Sequence, residues 1–568
     1  EEITKSLVEI GAVAKELIYS GADALRRMEV PETIQEVISA RIDHLEEGVK
    51  RTLREASVFG REFSLPLLQR VSAEKEKLNQ HVKELEGAEF IYEKSHFPDP
   101  IYSFRHTFIQ EVAYGGLLLK RRRELHRAVA SAIGELYPER LEENWGILAH
   151  HYYFADAWER ALEFQVKAGN KAKEAYANEE AADYYRRAIR AFGKLGPEEK
   201  AKNTGFNIQA RAGLSSVYFF TAEYEKSIRE NEILLALLEE EDPAREKWPL
   251  EWARTKARVG MALERRGKFE DGLRMLLEAR EVLEACPEGE ESSVEMSRCL
   301  GQLSWIHFRM HDSQGARRWA YESLRLAEKL GSLPDITRAH NVLGASFVRD
   351  GDYQEAIEHF EKCLENEEAL EHLPGKATLL YNLGLVACLR GSYGEAVEYY
   401  QKAREIRRQV GDALGTGSSL NSLGNVYHCL DKLDEALECY RESLEFREEI
   451  KHTEGVAVTL EHLGRALMEK GDLGEAVRIL RKSLEVGEQI QSRVRMSEAY
   501  LSLAYTLAAT GEYEEARKCA EEAARKKHGH DGADDEIRKI LERLQDASLK
   551  DLSKEKLIRD RRSLHAWV

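Results

Sequence analysis

The chain lacks nearly every short motif on which enzymes build a reactive centre. No GxxxxGK[ST] loop occurs in its 568 residues, so no P-loop cradles a nucleotide here, and GxSxG, HExxH and glycine-rich nucleotide loops are missing too. Cysteine is scarce and odd in number: 7, at Cys286, Cys299, Cys363, Cys388, Cys429, Cys439 and Cys519, with no Cys-x-x-Cys pair. That pattern argues against a disulfide framework and a zinc finger. It points to a reducing, cytoplasmic compartment in which thiols pack as small hydrophobes. Excess positive charge is also absent: a formal net charge of -18 sets the chain against general binding to nucleic acid or anionic membranes. No apolar run reaches the roughly 18 residues that a spanning helix needs. The chain opens EEITKSLVEIGAV, without an initiator Met or a basic and apolar leader, and is expected to be a fragment of something longer.

What is present is material for helices, repeated. Charged residues make up 33% and hydrophobic ones 43%, ample core for helices, and the length exceeds one ordinary core. A small residue recurs at Ser304, Gly344, Gly384, Gly424, Gly464 and Ala504 in steps of 40, and the register continues upstream at Gly260 and Ser215, giving eight units. Each later unit then carries a turn and a second helix, as in GDYQEAIEHF from Gly351, GSYGEAVEYY from Gly391 and DKLDEALECY from Asp431. Gly351, Gly391, Gly471 and Gly511 suit the left-handed end of a first helix. Asp352, Ser392 and Asp472 suit the N-cap of the second, with Glu355, Glu395 and Glu475 placed to complete capping boxes. A glycine in mid-helix costs roughly 1 kcal/mol relative to alanine. Glycines repeated at one register, facing Ala356, Ala396, Ala436, Ala476 and Ala516, therefore imply two helices crossing closely.

These residues resemble the tetratricopeptide repeat in a longer form of about 40 residues, over roughly residues 205–530. The proline that usually closes each unit is missing. The resemblance implies an all-α fold, a right-handed tetratricopeptide superhelix (α-solenoid) whose first helices line a concave binding groove.

Upstream, VPETIQEVISARIDHLEEGVKRTLREASVFGREFSLPLLQRV reads as three short helices, the third starting near Phe63 or Ser64. A helix through Lys83–Glu86 and two β-like segments, Phe90–Tyr92 and Ile101–Phe104, follow. That is a winged-helix composition. VPETIQEVISARIDHL, ASVFGREFSLPLL, YSFRHTFIQEVAY, RRRELHRAVA and LAHHYYFADAWERAL together resemble the region downstream of the ATPase in STAND-class signal-transduction ATPases. The resemblance implies that EEITKSLVEIGAV ends a nucleotide-binding domain lying outside this sequence. ATP or ADP would then belong to the parent protein, with no cofactor in this fragment. It also implies a nucleotide-sensing role for His106 with Arg105; the plainer alternative is that His106 caps or packs the helix it opens. The expected organisation is a domain remnant over 1–30, a small winged-helix-like domain over 31–137, a helical-hairpin linker over 138–200, the repeat array over 201–533, and a capping helix and tail over 534–568.

Tetratricopeptide repeats line their groove from five positions of the first helix, counted from the packing residue. At minus six these offsets select Arg254, Arg298 and Arg338, and at plus five Arg265, Arg309 and Arg349, with Trp305, Phe308 and Asn341 nearby. Arginine's planar fork suits carboxylates and phosphates; the alternative, helix-end electrostatics together with salt bridges inside each repeat, covers the plus-five column but not the minus-six one. A second segment carries Tyr381, Asn382, Asn421, Asn425, His428, Arg465 and Tyr505 at or beside the same positions. Its NSLGN stretch resembles repeats that clamp a peptide backbone through asparagine amides. No catalytic or metal-ligating constellation emerges: His150–His151 and the basic run Lys120–Arg123 read as helix packing and a solvated helix face, and His528 with His530 offers at most a weak metal site. The expectation is a non-enzymatic sensor and autoinhibitory region of a STAND-type signalling or transcription regulator. Its partner would be a protein or peptide, acidic in character, or a small anionic effector, with no direct nucleic acid or membrane contact and with oligomers in the activated parent. The competing expectation is a constitutive scaffold or adaptor.

Overall fold

The structure is a computed structural model that describes residues 32–545 apart from 97–98, 288 and 528–533. The expected domain remnant over 1–30, the His528 and His530 pair and the tail beyond 545 lie outside the described residues. The chain divides into two compact units, Glu1–Arg245 and Glu246–Val568. Among the described residues no helix is long and apolar enough to cross a membrane.

The first unit begins with α1 (Glu32–Asp43), α2 (Glu47–Ser57), β1 (Glu62–Ser64), α3 (Leu65–Val71), α4 (Leu78–Gly87), β2 (Ile91–Ser95) and β3 (Ile101–Phe104). The strands form an antiparallel sheet in the order β1-β3-β2, with Phe63 opposite Tyr102 and Tyr92 opposite Ser103. Leu53, Leu68, Leu85, Ile91 and Phe104 close one apolar core between helices and sheet. The third helix starts after Ser64 as the sequence indicates, but Phe63 and Ser64 themselves pair in a strand that the sequence reading does not foresee. Seven helices follow: α5 (Thr107–Gly115), α6 (Leu119–Leu136), α7 (Trp145–Phe154), α8 (Trp158–Glu174), α9 (Asn178–Lys194), α10 (Pro197–Phe220) and α11 (Tyr224–Glu241). The hairpin of α8 and α9 obeys the repeat register: Ala181 is fully buried, and a Cβ added to Gly169 would stand 2.7 Å from the ring of Tyr185.

The second unit is a run of helical hairpins: α12 (Pro249–Arg265) with α13 (Phe269–Ala285), α14 (Glu290–Arg309) with α15 (Ser313–Leu330), α16 (Leu333–Asp350) with α17 (Tyr353–Ala369), α18 (Leu373–Leu389) with α19 (Tyr393–Gln409), α20 (Ala413–Cys429) with α21 (Leu433–Glu449), α22 (Thr453–Lys470) with α23 (Leu473–Gln489) and α24 (Arg493–Thr510) with α25 (Tyr513–Lys527). Then α26 (Asp534–Gln545) brings Ile537, Ile540 and Leu544 into one apolar cluster with Ala516, Ala520 and Ala523 of α25. This is the expected all-α superhelix of stacked hairpins, in which each repeat buries its apolar face against its neighbours.

The packing glycines do what their register implies, against partners the sequence did not name. A Cβ at Gly344 or Gly384 would stand 2.8 Å from Phe360 or Tyr400, and one at Gly424 would collide with Tyr440. The glycine thus admits an aromatic ring one turn beyond the small Ala356, Ala396 or Ala436, all fully buried. Gly351, Gly391, Gly471 and Gly511 take φ of 86°, 80°, 99° and 90°, the left-handed helix ends expected. The capping boxes do not close, however. Asp352, Ser392 and Asp472 hold the N-cap positions with ψ of 70°, 60° and 59° and make no side-chain cap bond. Asp312, Asp412 and Ser492, with ψ of 84°, 83° and 104°, do cap.

Two further devices tie the hairpins together. Ser323, Ser443 and Ser483 hydroxyls on the second helices donate to the carbonyls of Ser297, Gly417 and Ala457 on the first helices. Arg407 and Arg447, both buried, reach forward to the next repeat, donating to Gly415 O and Ser419 Oγ and to Gly455 O and Thr459 Oγ1 at 2.6–2.9 Å. Buried guanidiniums are tolerated only when bonded in this way.

Candidate ligand-binding cavities of the repeat array

The minus-six arginines converge. Arg254 on α12, Arg298 on α14 and Arg338 on α16 line one cavity of about 410 Å³, because they hold one register on the first helices of successive repeats. Arg258 and Gln302, one turn further along α12 and α14, join them; the sequence reading missed both, although each sits at minus two in its repeat. Ala257, Met261, Leu283 and Cys299 supply an apolar wall. Carboxylates hold the guanidiniums in place. Arg254 meets Glu251, Glu291 and Glu295 at 3.5, 2.7 and 3.1 Å, and Arg258 meets Glu251 at 3.2 Å. Arg298 meets Glu295 at 3.1 Å and Arg338 meets Asp335 at 2.6 Å, and these two side chains remain 55% and 42% exposed. The cavity is a set of preorganised donors with much of each outer fork open to solvent.

The plus-five arginines do not share that cavity. Arg265 and Arg309 both pair with the buried Glu264, at 3.5 and 2.6 Å, and Arg309 also covers Phe269. Arg349 lies 3.7 Å over the Phe308 ring and donates to the Phe308 carbonyl; burial pulls its guanidinium below the ordinary value. Phe308 and Trp305 pack on each other with ring centres 5.5 Å apart, and Asn341 is half-buried. Of the six arginines expected to share one basic groove, three line this cavity and three pair or stack near the ends of their helices.

The second predicted segment also divides. Tyr381, Asn421 and Asn425 line a cavity of about 760 Å³ together with Leu385, Tyr393, Tyr400, Ser422 and His462. Its polar groups are fixed from behind. Asn425 Oδ1 accepts from the Tyr440 hydroxyl at 2.8 Å, Asn421 Oδ1 lies 3.2 Å from His462 Nδ1, and the Tyr381 hydroxyl meets Ser422 Oγ at 3.0 Å. Burial pushes His462 down to about 3, against the opposing pull of Glu461, so the ring is neutral. Asn382 is half-buried and not part of the wall. His428, Arg465 and Tyr505 are only 3%, 3% and 1% exposed, which corrects their expected place on the groove surface. Two of them meet acids within the array: His428 Nε2 contacts Glu469 of the next first helix at 2.8 Å, and Arg465 lies 3.8 Å from Glu461 on its own helix.

In the first unit His106 occupies the N-cap of α5, half-buried and without a side-chain cap bond, beside the exposed Arg105. Burial and the neighbouring Arg105, Arg41 and Arg61 lower its pKa. The basic run is largely engaged: Arg121 pairs with Glu55, Arg122 covers Tyr114 and Arg123 pairs with Asp156. His151 packs against His126, Nδ1 to Nδ1 at 2.8 Å, and burial holds His126 down to about 4. No group of three metal-ligating side chains occurs among the described residues.

Comparison with known proteins agrees with this architecture. The tetratricopeptide repeat family model matches residues 306–369, 335–409, 375–449 and 455–526, so this stretch of the second unit carries tetratricopeptide repeats. An uncharacterized protein of Rhizobium meliloti (strain 1021) is 28% identical over 171 residues, which are 30% of this chain and 16% of that protein. The chain thus matches only a small part of that relative's length. Among solved structures, a STAND protein with a tetratricopeptide repeat sensor from Pyrococcus horikoshii aligns over 91% of this chain and 68% of its own, at 12% identity and a TM-score of 0.49. The apo quorum sensor NprR of B. thuringiensis aligns over 65% of this chain and 99% of its own, at 15% identity and 0.43. A Rap protein complexed with competence and sporulation factor aligns over 64% and 99%, at 15% identity and 0.38. All three scores fall below 0.5, so no functional property passes from these proteins to this one.

Proposed function

We propose that this chain is the sensor and autoinhibitory region of a STAND-type regulator, and that its repeats hold a protein, a peptide or a small anionic effector through the arginine cavity. The observation that carries the reading is the convergence of Arg254, Arg258, Arg298 and Arg338, from three successive repeats, on one cavity. A guanidinium offers five N–H donors in a fixed fork, and such a set recognises an anionic group. For a switch, the ligand must bind the active and inactive arrangements with different affinity. The winged-helix-like reading of residues 31–137, supported by the helices and three-stranded sheet there, would place His106 and Arg105 toward a nucleotide held by the parent protein. That protein would be cytoplasmic, forming oligomers when active.

The test is a thermal-shift panel of acetate, succinate, hexanoate, phosphate and hexaglutamate on the chain and on the double variant Arg298→Glu/Arg338→Glu. Stabilisation by at least one anion, lost in the variant, is expected. No anion whose effect depends on these arginines would sink the reading. The adaptor alternative parts from the switch at the gene: a GxxxxGK[ST] domain encoded upstream supports the switch, and its absence leaves an adaptor without a role for His106.

A further inference from the structure

We infer that the arginine cavity takes a single carboxylate on a short apolar stem, rather than a phosphate or a polyacidic chain; this rests on the reading of the cavity as the ligand site. The charge balance is the first reason. Four guanidiniums, of Arg254, Arg258, Arg298 and Arg338, face four carboxylates, of Glu251, Glu291, Glu295 and Asp335. The network therefore has no surplus positive charge with which to offset the desolvation of a dianion or of several carboxylates. What it offers is direction. Arg298 and Arg338 meet their acids through Nη1, and the rest of each fork can close on one carboxylate.

The wall is the second reason. Met261, Ala257, Leu283 and Cys299 stand in the same cavity as the guanidiniums; Met261 and Ala257 are half-buried and present apolar surface to it, over the buried Leu283 and Cys299. A phosphate ion would leave that apolar wall unused, whereas a stem of a few carbons covers it. A volume of about 410 Å³ lies at the small end of ligand sites, which limits the stem to a short one. A free aliphatic acid and the C-terminal residue of an apolar-ended chain present this same chemistry.

Isothermal titration calorimetry on the full chain separates the cases, with hexanoate, hexanamide, N-acetyl-leucine, phosphate and hexaglutamate as probes. Hexanoate should bind, and hexanamide and phosphate should bind at least about tenfold more weakly, the scale of one charged hydrogen-bond pair. Arg298→Gln/Arg338→Gln should cost hexanoate a similar factor, and Met261→Asp should do so from the apolar side. Unchanged circular-dichroism melts guard against unfolding, and if the arginine pair does not fold, Met261→Asp decides. N-acetyl-leucine binding tighter than hexanoate assigns the C-terminal residue of a chain, and the reverse assigns a free acid. Equal binding of hexanamide, or affinity unmoved by the variants, overturns the inference. Arginine-dependent binding of phosphate or hexaglutamate without hexanoate overturns it too, yet leaves the anion-sensor reading standing. No arginine-dependent binding of any anion removes both.

Discussion

The arginine cavity and the tyrosine–asparagine cavity are cut from the same repeat, a hundred or so residues apart in the chain, and they share almost no chemistry. One is walled by guanidiniums braced on carboxylates, the other by tyrosines, asparagines and a neutral histidine. The scaffold below them differs far less: Ala316, Ala356, Ala396 and Ala436 are fully buried beneath both. The contrast teaches how a solenoid divides its labour. Positions that cross the partner helix are held to small residues by contact distance, while positions lining the two cavities carry arginine in one and tyrosine or asparagine in the other on the same scaffold.

The largest expected effect breaks the comparison at the crossing itself. Gly424 lies against Tyr440, which is fully buried and whose hydroxyl fixes Asn425 of the second cavity. Gly424→Ala should cost about 2–3 kcal/mol, the scale of overpacking in a core. The arginine cavity stands on Ser304, whose counterpart is the small Ala320, so Ser304→Ala removes only a bond to Gly301 O and should cost about 1 kcal/mol or less. Denaturant unfolding of the two variants measures both, and equal losses would show that the crossing is not what distinguishes them.

Acid sharpens the contrast next. In the folded chain His462 is held neutral down to about 3, whereas the unfolded chain protonates it near 6.5. Above pH 6.5 both states are neutral and the group contributes no pH dependence. Below it the unfolded state binds the extra proton, so stability falls by about 1.4 kcal/mol per pH unit until pH nears the folded value. Thermal unfolding of His462→Gln against the parent chain from pH 7 to 5 should show the variant losing less; parallel curves would contradict the neutral ring. The binding comparison gives a smaller change. Glu295 braces both Arg254 and Arg298, so Glu295→Gln leaves the arginine cavity with one surplus positive charge. Phosphate affinity should then rise about tenfold by calorimetry, a change of roughly 1.4 kcal/mol. Glu395→Gln, which removes the carboxylate partner of the single Arg390 at the edge of the other cavity and leaves its bond to Ser392 Oγ, should raise phosphate binding less.

Much of the second unit was legible because its constraints are local in the chain. The 40-residue register and the left-handed glycines follow from spacing, and the minus-six arginine column from applying the groove offsets of the tetratricopeptide repeat, which the chain resembles, to that register. The partners of those residues did not. That Gly384 admits Tyr400, or that Arg258 and Gln302 enter the arginine cavity, depends on how neighbouring helices lean. His428, Arg465 and Tyr505 sit at groove positions by count, and only contacts with residues distant in the chain decide that they are buried. The capping boxes failed on a smaller scale: Asp412 caps and Asp472 does not, a difference in local backbone and rotamer that spacing does not carry.

The smallest effect concerns the turns before and after α21. Lys451 closes the turn after α21 with φ of 56°, and Asp431 closes the turn after α20 with φ of 63°. Both are left-handed, a region that costs an ordinary side chain about 1–2 kcal/mol and that aspartate visits more readily than lysine. Glycine removes that cost but loses more chain entropy on folding, about 0.5–1 kcal/mol. Lys451→Gly should therefore stabilise the array by roughly 0.5–1 kcal/mol, and Asp431→Gly by about half as much or nothing. Denaturant midpoints of the two variants give the order. A larger gain at Asp431 would mean that its carboxylate, rather than its backbone, sets the strain in that turn.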